Sequence, residues 1–300
     1  MKYNKNIEQG YQSYSQKGMK RIHAFFALFK SQNRFTLVFL PLHRQVADMD
    51  KTQLAIEINS TRMSAFRING TSISLIESQN CVNKSDLGYK ETLKELLTAC
   101  GNMDQFEAFS CSYSQEQSTL VPMLLFGESK PDALLNFTSH QAIPHDEIDY
   151  NRLPEWNMVN VFRLPMWIKS ALVIKIPRIV IQHELSHVLR FLTTGSTIPQ
   201  RSQLILQEGH FCLVVRKDGV IAHGSYQSYQ SAEDILYHIL YTYQQLAITT
   251  KGELFIQAGT VALKTTADEI QQLMQPIPIF QPITVTTHLH EHIKFQTLCV

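Results

Sequence analysis

Apolar and polar positions alternate with a strand period over much of the chain from Thr52 onward. Leu54–Asn59 is apolar and β-branched, Met63–Ile68 alternates, and Ser72–Ile76 alternates again after Asn69-Gly70. Asn-Gly between alternating runs signals a hairpin, because both turn positions favour positive φ. Three antiparallel strands are expected. The period then changes to that of a helix near Lys90–Cys100, with Leu93, Leu96 and Leu97 on one face. A strand follows at Phe106–Tyr113. Leu120–Phe126 is short and apolar, and Pro131–Ser139 reads as a brief helix opened by proline. His145–Leu153 carries no clear period. Met158–Leu164 reads as a strand, and Pro165 opens a helix that Pro177 ends.

The order repeats after Gly195. Ser202–Gln207, Phe211–Arg216 and Val220–Tyr226 read as three strands, with Asp218-Gly219 at the second turn. A long helix is expected from Ser231, with Ser231 and Asp234 as a capping box and Ile235, Ile239, Leu240, Tyr243 and Leu246 as its apolar stripe. Glu253–Gln257 reads as a strand, Thr266 and Glu269 as the caps of a short helix to Gln275, and Ile283–Thr287 as a closing strand. Three strands, helix, strand, helix, strand thus occurs twice, with additions in the first copy. The fold class expected is α/β, as two actin-like (ribonuclease-H-like) lobes. Each has a mixed sheet with a three-strand meander and flanking helices. One lobe spans residues 52–195 and the other 197–300.

Residues 1–48 read differently, as a loose extension. Met1–Lys20 is polar without a period, and Lys30, Arg34 and His43 interrupt the Phe- and Leu-rich run Ile22–Leu42. A spanning helix needs roughly 20 mostly apolar residues, so no membrane span is expected. An export signal is disfavoured, because its apolar run would start late and no small-residue cleavage site follows. The sharper expectation is that translation starts at Met49, which peptides from the leader would rule out.

Composition narrows the function class. Lys plus Arg number 27 and Asp plus Glu 26, so no basic field recommends nucleic acid. Five scattered cysteines without a C-x-x-C favour a reducing, cytoplasmic compartment over a disulfide framework or a cysteine zinc site. Tyr226, Tyr229, Tyr237, Tyr241 and Tyr243 lack the cations of a single-strand binder and read as packing residues. His288, His290 and His292 alternate and so share a strand face, which can hold a metal weakly; a frayed, solvated strand end is the simpler expectation.

Three further runs carry a family resemblance. They are Ser118–Phe126 (S-T-L-V-P-M-L-L-F), Asp234–Tyr241 (D-I-L-Y-H-I-L-Y) with Gln244-Gln245-Leu246, and Leu254–Gly259 (L-F-I-Q-A-G). On these the chain from about Thr52 resembles an uncharacterised bacterial domain-of-unknown-function family with a duplicated actin-like ATPase fold. The resemblance implies that fold and little chemistry.

Two sites compete. His183-Glu184-Leu185-Ser186-His187 matches H-E-x-x-H. On one helix His183 and His187 would ligate Zn²⁺, with Glu184 as general base and Glu208 as the candidate third ligand. Ile179-Val180-Ile181 suits a strand instead, and the resemblance implies a strand followed by a helix here. His183 would then end the strand and Glu184 begin the helix. Leu185, Val188, Leu189 and Leu192 would form its buried stripe, and His187 would face elsewhere.

The other candidate is a nucleotide cleft. An actin-like ATPase holds phosphates and Mg²⁺ in two hairpin loops that need glycines and an aspartate. Here the loops are Glu57–Arg62, without glycine, and Gln207–His210, with one glycine and one acid; Ala258-Gly259 remains of the adenosine-side pair. The candidate cleft residues are Asn59, Ser60, Thr61, Glu208, Gly209 and Gly259. The expectation is a non-catalytic binding or scaffold protein with degenerate loops, no cofactor, and another protein as partner. The alternatives are a zinc hydrolase and a weak ATP/Mg binder.

Overall fold

The computed structural model describes residues 52–299, except 83, 128–129, 140–141, 193–197 and 250. The expected extension 1–48 and the Met49 start lie outside the described residues. The elements below lie in one compact unit, Ala47–Val300.

The first lobe opens with strands β1 (Thr52–Ile58), β2 (Arg62–Asn69) and β3 (Ser72–Asn80), then helix α1 (Asp86–Ala99) and β4 (Ala108–Tyr113). The addition follows: β5 (Ser118–Pro122), α2 (Pro131–Thr138), β6 (Ile148–Leu153), β7 (Met158–Arg163) and α3 (Met166–Lys175). The lobe closes with β8 (Val180–His183) and α4 (Glu184–Phe191). The second lobe runs β9 (Gln200–Gln207), β10 (His210–Lys217), β11 (Val220–Ser228), α5 (Ala232–Gln245), β12 (Gly252–Ala258), α6 (Val261–Met274) and β13 (Ile283–Leu289). A 3-10 segment, Glu291–Cys299, ends the described chain.

The two main sheets have the same order, β3-β2-β1-β4-β8 and β11-β10-β9-β12-β13. In each, the meander is antiparallel and the last two strands run parallel to the first. The addition forms its own antiparallel sheet, β5-β7-β6. Ile148–Leu153, aperiodic in sequence, is its edge strand: pairing with β7 on one side leaves most of it half-buried, so no apolar alternation is required of it.

Each sheet buries one face under its own helices. In the first lobe Leu54, Ile56 and Ile58 pack with Leu93, Leu96 and Leu97 of α1. In the second, Leu204, Leu206, Leu254 and Ile256 pack with Ile235, Ile239 and Tyr243 of α5 and Ala267, Ile270 and Met274 of α6. Full burial of each such side chain is worth roughly 1.5–3 kcal/mol.

The other faces are covered by exchange. Helix α4 follows a strand of the first sheet, yet Leu185, Val188 and Leu189 pack on Ile205, Cys212 and Val214 of the second. The Glu291–Cys299 segment follows a strand of the second sheet, yet Ile293 packs on Ala55, Phe66 and Ile68 of the first. Phe191 of α4 stacks on Phe295 at 4.0 Å between ring centres.

Several local expectations need correction. The β2–β3 hairpin loop is Gly70-Thr71, not Asn69-Gly70: Asn69 pairs with Ser72, and of these residues Gly70 alone takes positive φ. Asp218 and Gly219 both take positive φ, as the second turn requires. The cap of helix α6 lies six residues before the one expected at Thr266: Thr260 caps it by accepting from the Leu263 amide. The Ser231/Asp234 capping box forms as expected. His187 does not sit off the buried stripe: α4 is enclosed by both lobes, and every residue from Glu184 to Leu189 is buried.

Candidate functional site

The parallel strands of both sheets end at the same cleft. From the first lobe come the β1–β2 hairpin and the segment after β4, and from the second the β9–β10 hairpin. A cavity of about 370 Å³ opens there, lined by Ser60 and Thr61, by Gln115, Glu116 and Gln117, by Arg163, and by Glu208, Gly209, His210 and Tyr226. Crevices beyond the carboxyl ends of parallel strands are the usual ligand sites of α/β sheets.

The six residues expected in a nucleotide cleft divide. Ser60, Thr61, Glu208 and Gly209 line the cavity. Asn59 is buried and closes its own loop: its Oδ1 accepts from the Thr61 amide at 3.0 Å, the Thr61 hydroxyl at 2.9 Å and the Arg62 amide at 2.7 Å. Gly259 also has its backbone engaged, its amide donating to the Leu206 carbonyl and its carbonyl accepting from Arg62 Nη2 at 3.1 Å. Gly209 takes φ +78°, with nothing within 4 Å of where a Cβ would stand.

Arg62 ties the two hairpins together. Besides Gly259, its Nη2 reaches Gln207 Oε1 at 3.4 Å, and its Nη1 lies 3.8 Å from Glu208 Oε1. Behind it are two buried carboxylates. Glu57, on β1, meets His292 Nε2 at 2.9 Å. Burial pushes its carboxyl up, but the His292 charge and hydrogen bond and the Arg62 charge outweigh that and hold it below the usual range. Glu184, at the start of α4, accepts from Gln207 at 3.4 Å and hydrogen-bonds Ser114. Burial, reinforced by Glu57, pushes it up to about 7.

The H-E-x-x-H match is divided as expected between β8 and α4. His183 caps the helix through Nδ1, which accepts from the Leu185 amide at 3.1 Å, while Nε2 donates to the Gln115 carbonyl at 2.8 Å. Both ring nitrogens are therefore engaged. Burial lowers its pKa to about 4 against the pull of the Gln115 carbonyl. His187 hydrogen-bonds the Cys111 backbone; burial, then Arg190, lowers its pKa to about 3. The residues present do not fit a zinc ion held by His183, His187 and Glu208. Among the described residues no group of three or more His, Cys, Asp or Glu is arranged to hold a metal.

The histidine tract is not a solvated strand end. His288 pairs with Glu291 at 3.1 Å, His290 turns into positive φ and breaks the strand, and His292 is buried on Glu57. Its role could not be found from local pattern, since its partner lies 235 residues away. Gln115–Gln117, Arg163 and Tyr226 likewise reach the cleft only through tertiary packing.

A family model described as "Protein of unknown function (DUF3822)" matches residues 43–275, well over half of the chain. The chain belongs to the DUF3822 family. A crystal structure from Bacteroides thetaiotaomicron, of a protein with an actin-like ATPase fold and unknown function, is similar. It is 14% identical, with a TM-score of 0.67 over 85% of this chain and 98% of that one. That likeness shows the fold: both lobes are actin-like. Two weaker likenesses carry no argument. One is to a PilM–PilN type IV pilus biogenesis complex (12% identity, TM-score 0.42, 82% of this chain and 94% of that one). The other is to the ethanolamine utilization protein EutJ of Carboxydothermus hydrogenoformans (8%, 0.40, 83% and 88%). No curated protein matches the chain. Among the described residues no helix is long and apolar enough to cross a membrane.

Proposed function

We propose that this member of the family is a non-catalytic, actin-like binding protein whose cleft has given up nucleotide chemistry. The supporting observation is the inward turn of the first hairpin. A phosphate held there needs free loop amides. Here the Thr61 and Arg62 amides donate to Asn59. The loop's one cation spans the gap to Gln207 and Gly259. A phosphate would have to displace both arrangements. The partner in this reading is another protein. The four cysteines whose side chains are described are free and buried, which suits a reducing compartment, the cytoplasm.

A thermal-shift titration with ATP and Mg²⁺ tests the reading. A ligand at a hundred times its Kd adds about 2.7 kcal/mol of apparent stability, a rise of a few degrees. No shift is expected at millimolar ATP. A Mg²⁺-dependent rise would overturn the proposal, and so would stoichiometric zinc lost on His187→Ala.

A further inference from the structure

The lining of the cleft specifies a chemistry. Glu116 is an exposed carboxylate on its wall, with no ion-pair partner among the described residues. Glu208 lines the same cavity and makes a loose contact, 3.8 Å, with Arg62. The cavity's own cation, Arg163, is neutralised: it binds Glu147 at 2.7–2.8 Å and Gln117 at 3.2 Å.

An independent observation comes from His210. It lines the same cavity, is 3% exposed and stacks on Tyr226 at 4.4 Å. Its ring bonds the Glu208 backbone, yet among the described residues Nε2 has no hydrogen-bond partner. Burial keeps the imidazole neutral down to about pH 4. With the other nitrogen donating to a carbonyl, Nε2 is an acceptor. A buried acceptor without a donor is costly and calls for a partner.

The cleft is thus rich in acceptors and carries uncompensated negative charge. Anionic phosphates are disfavoured, and a planar cation with several N–H donors is matched. The volume, about 370 Å³, lies at the small end of ligand pockets and suits a side chain better than a nucleotide. We infer that the cleft receives a guanidinium group, presented as an arginine side chain by the protein partner. This rests on the binding-protein reading and names what that protein offers.

The test is calorimetry and thermal shift on the full chain with four probes: N-acetyl-arginine amide, N-acetyl-lysine amide, free arginine and ATP–Mg²⁺. The blocked arginine is expected to bind at millimolar concentration and better than the blocked lysine. Glu116→Gln, at an exposed position, is expected to weaken it about tenfold, as loss of a charge-assisted bond does. Glu95→Gln, exposed on α1 away from the cleft, is expected to change nothing. No binding of the blocked arginine, or equal binding by wild type and Glu116→Gln, overturns the inference. Binding of free but not blocked arginine overturns it in favour of a metabolite. Only a response to ATP–Mg²⁺ overturns the binding-protein reading as well, so the two failures are distinct.

Discussion

Glu57 and Glu184 are both buried carboxylates close to the hairpins of the cleft, and they behave in opposite ways. Glu57 lies behind the first hairpin with an imidazole on one oxygen and a guanidinium nearby. Its ionised form is favoured. Glu184 has amide and hydroxyl partners but, among the described residues, no cation in contact, and its protonated form is favoured up to about pH 7. Burial is common to both, so the difference lies in the partner each carboxylate meets. The His292 that holds Glu57 comes from the exchanged C-terminal segment. The difference therefore depends on the lobes being interlocked.

His292→Leu breaks the comparison most severely. It leaves Glu57 buried without its partner, and a cost of about 3–5 kcal/mol is expected in urea unfolding at neutral pH. The sign follows from the lowered carboxyl: the stability it contributes is present above the unfolded-state pKa and lost as pH falls through the folded value. The loss caused by His292→Leu should therefore shrink in acid.

Glu184→Gln acts with the opposite sign. A carboxyl raised to about 7 binds its proton more tightly in the folded state, so its contribution falls as pH rises from about 4.5 to 7. At about 1.4 kcal/mol per pKa unit, Glu184→Gln should be more stable than wild type above pH 7 by about 3.5 kcal/mol, with the gap closing below pH 4.5. The difference between the two proteins is the readout, because buried His183, His187 and His210, all lowered, tilt the curve of each the other way.

Two smaller changes sharpen the picture. Arg62→Ala removes the bonds from the first hairpin to Gln207 and Gly259 and should cost about 1–2 kcal/mol by thermal unfolding. Glu57→Gln removes the charge that helps raise Glu184. In that background the pH-dependent difference made by Glu184→Gln should move to lower pH, and an unmoved midpoint would dissociate the two carboxylates.

Much of the fold was legible. Strand and helix periods are local, and the Asp218-Gly219 turn and the Ser231 capping box are written within four residues each. The break at His183 was legible too: Ile179-Val180-Ile181 suits a strand, and the resemblance implied a strand followed by a helix there. What failed locally had a weak local signal. Thr260 caps α6 without an acidic partner, and Asn69-Gly70 yielded its place to Gly70-Thr71 when β2 paired one residue further.

The sequence by itself determined two copies of one α/β plan, an H-E-x-x-H run divided between strand and helix, and hairpins poor in glycine. Those depend on the preferences of neighbouring residues. Only the tertiary structure decided that α4 and the C-terminal segment trade lobes, that His292 finds Glu57, and that Arg62 reaches Gly259. Partners 197 and 235 residues apart leave no periodic trace in the chain; they meet because each sheet has a second apolar face that its own helices do not cover.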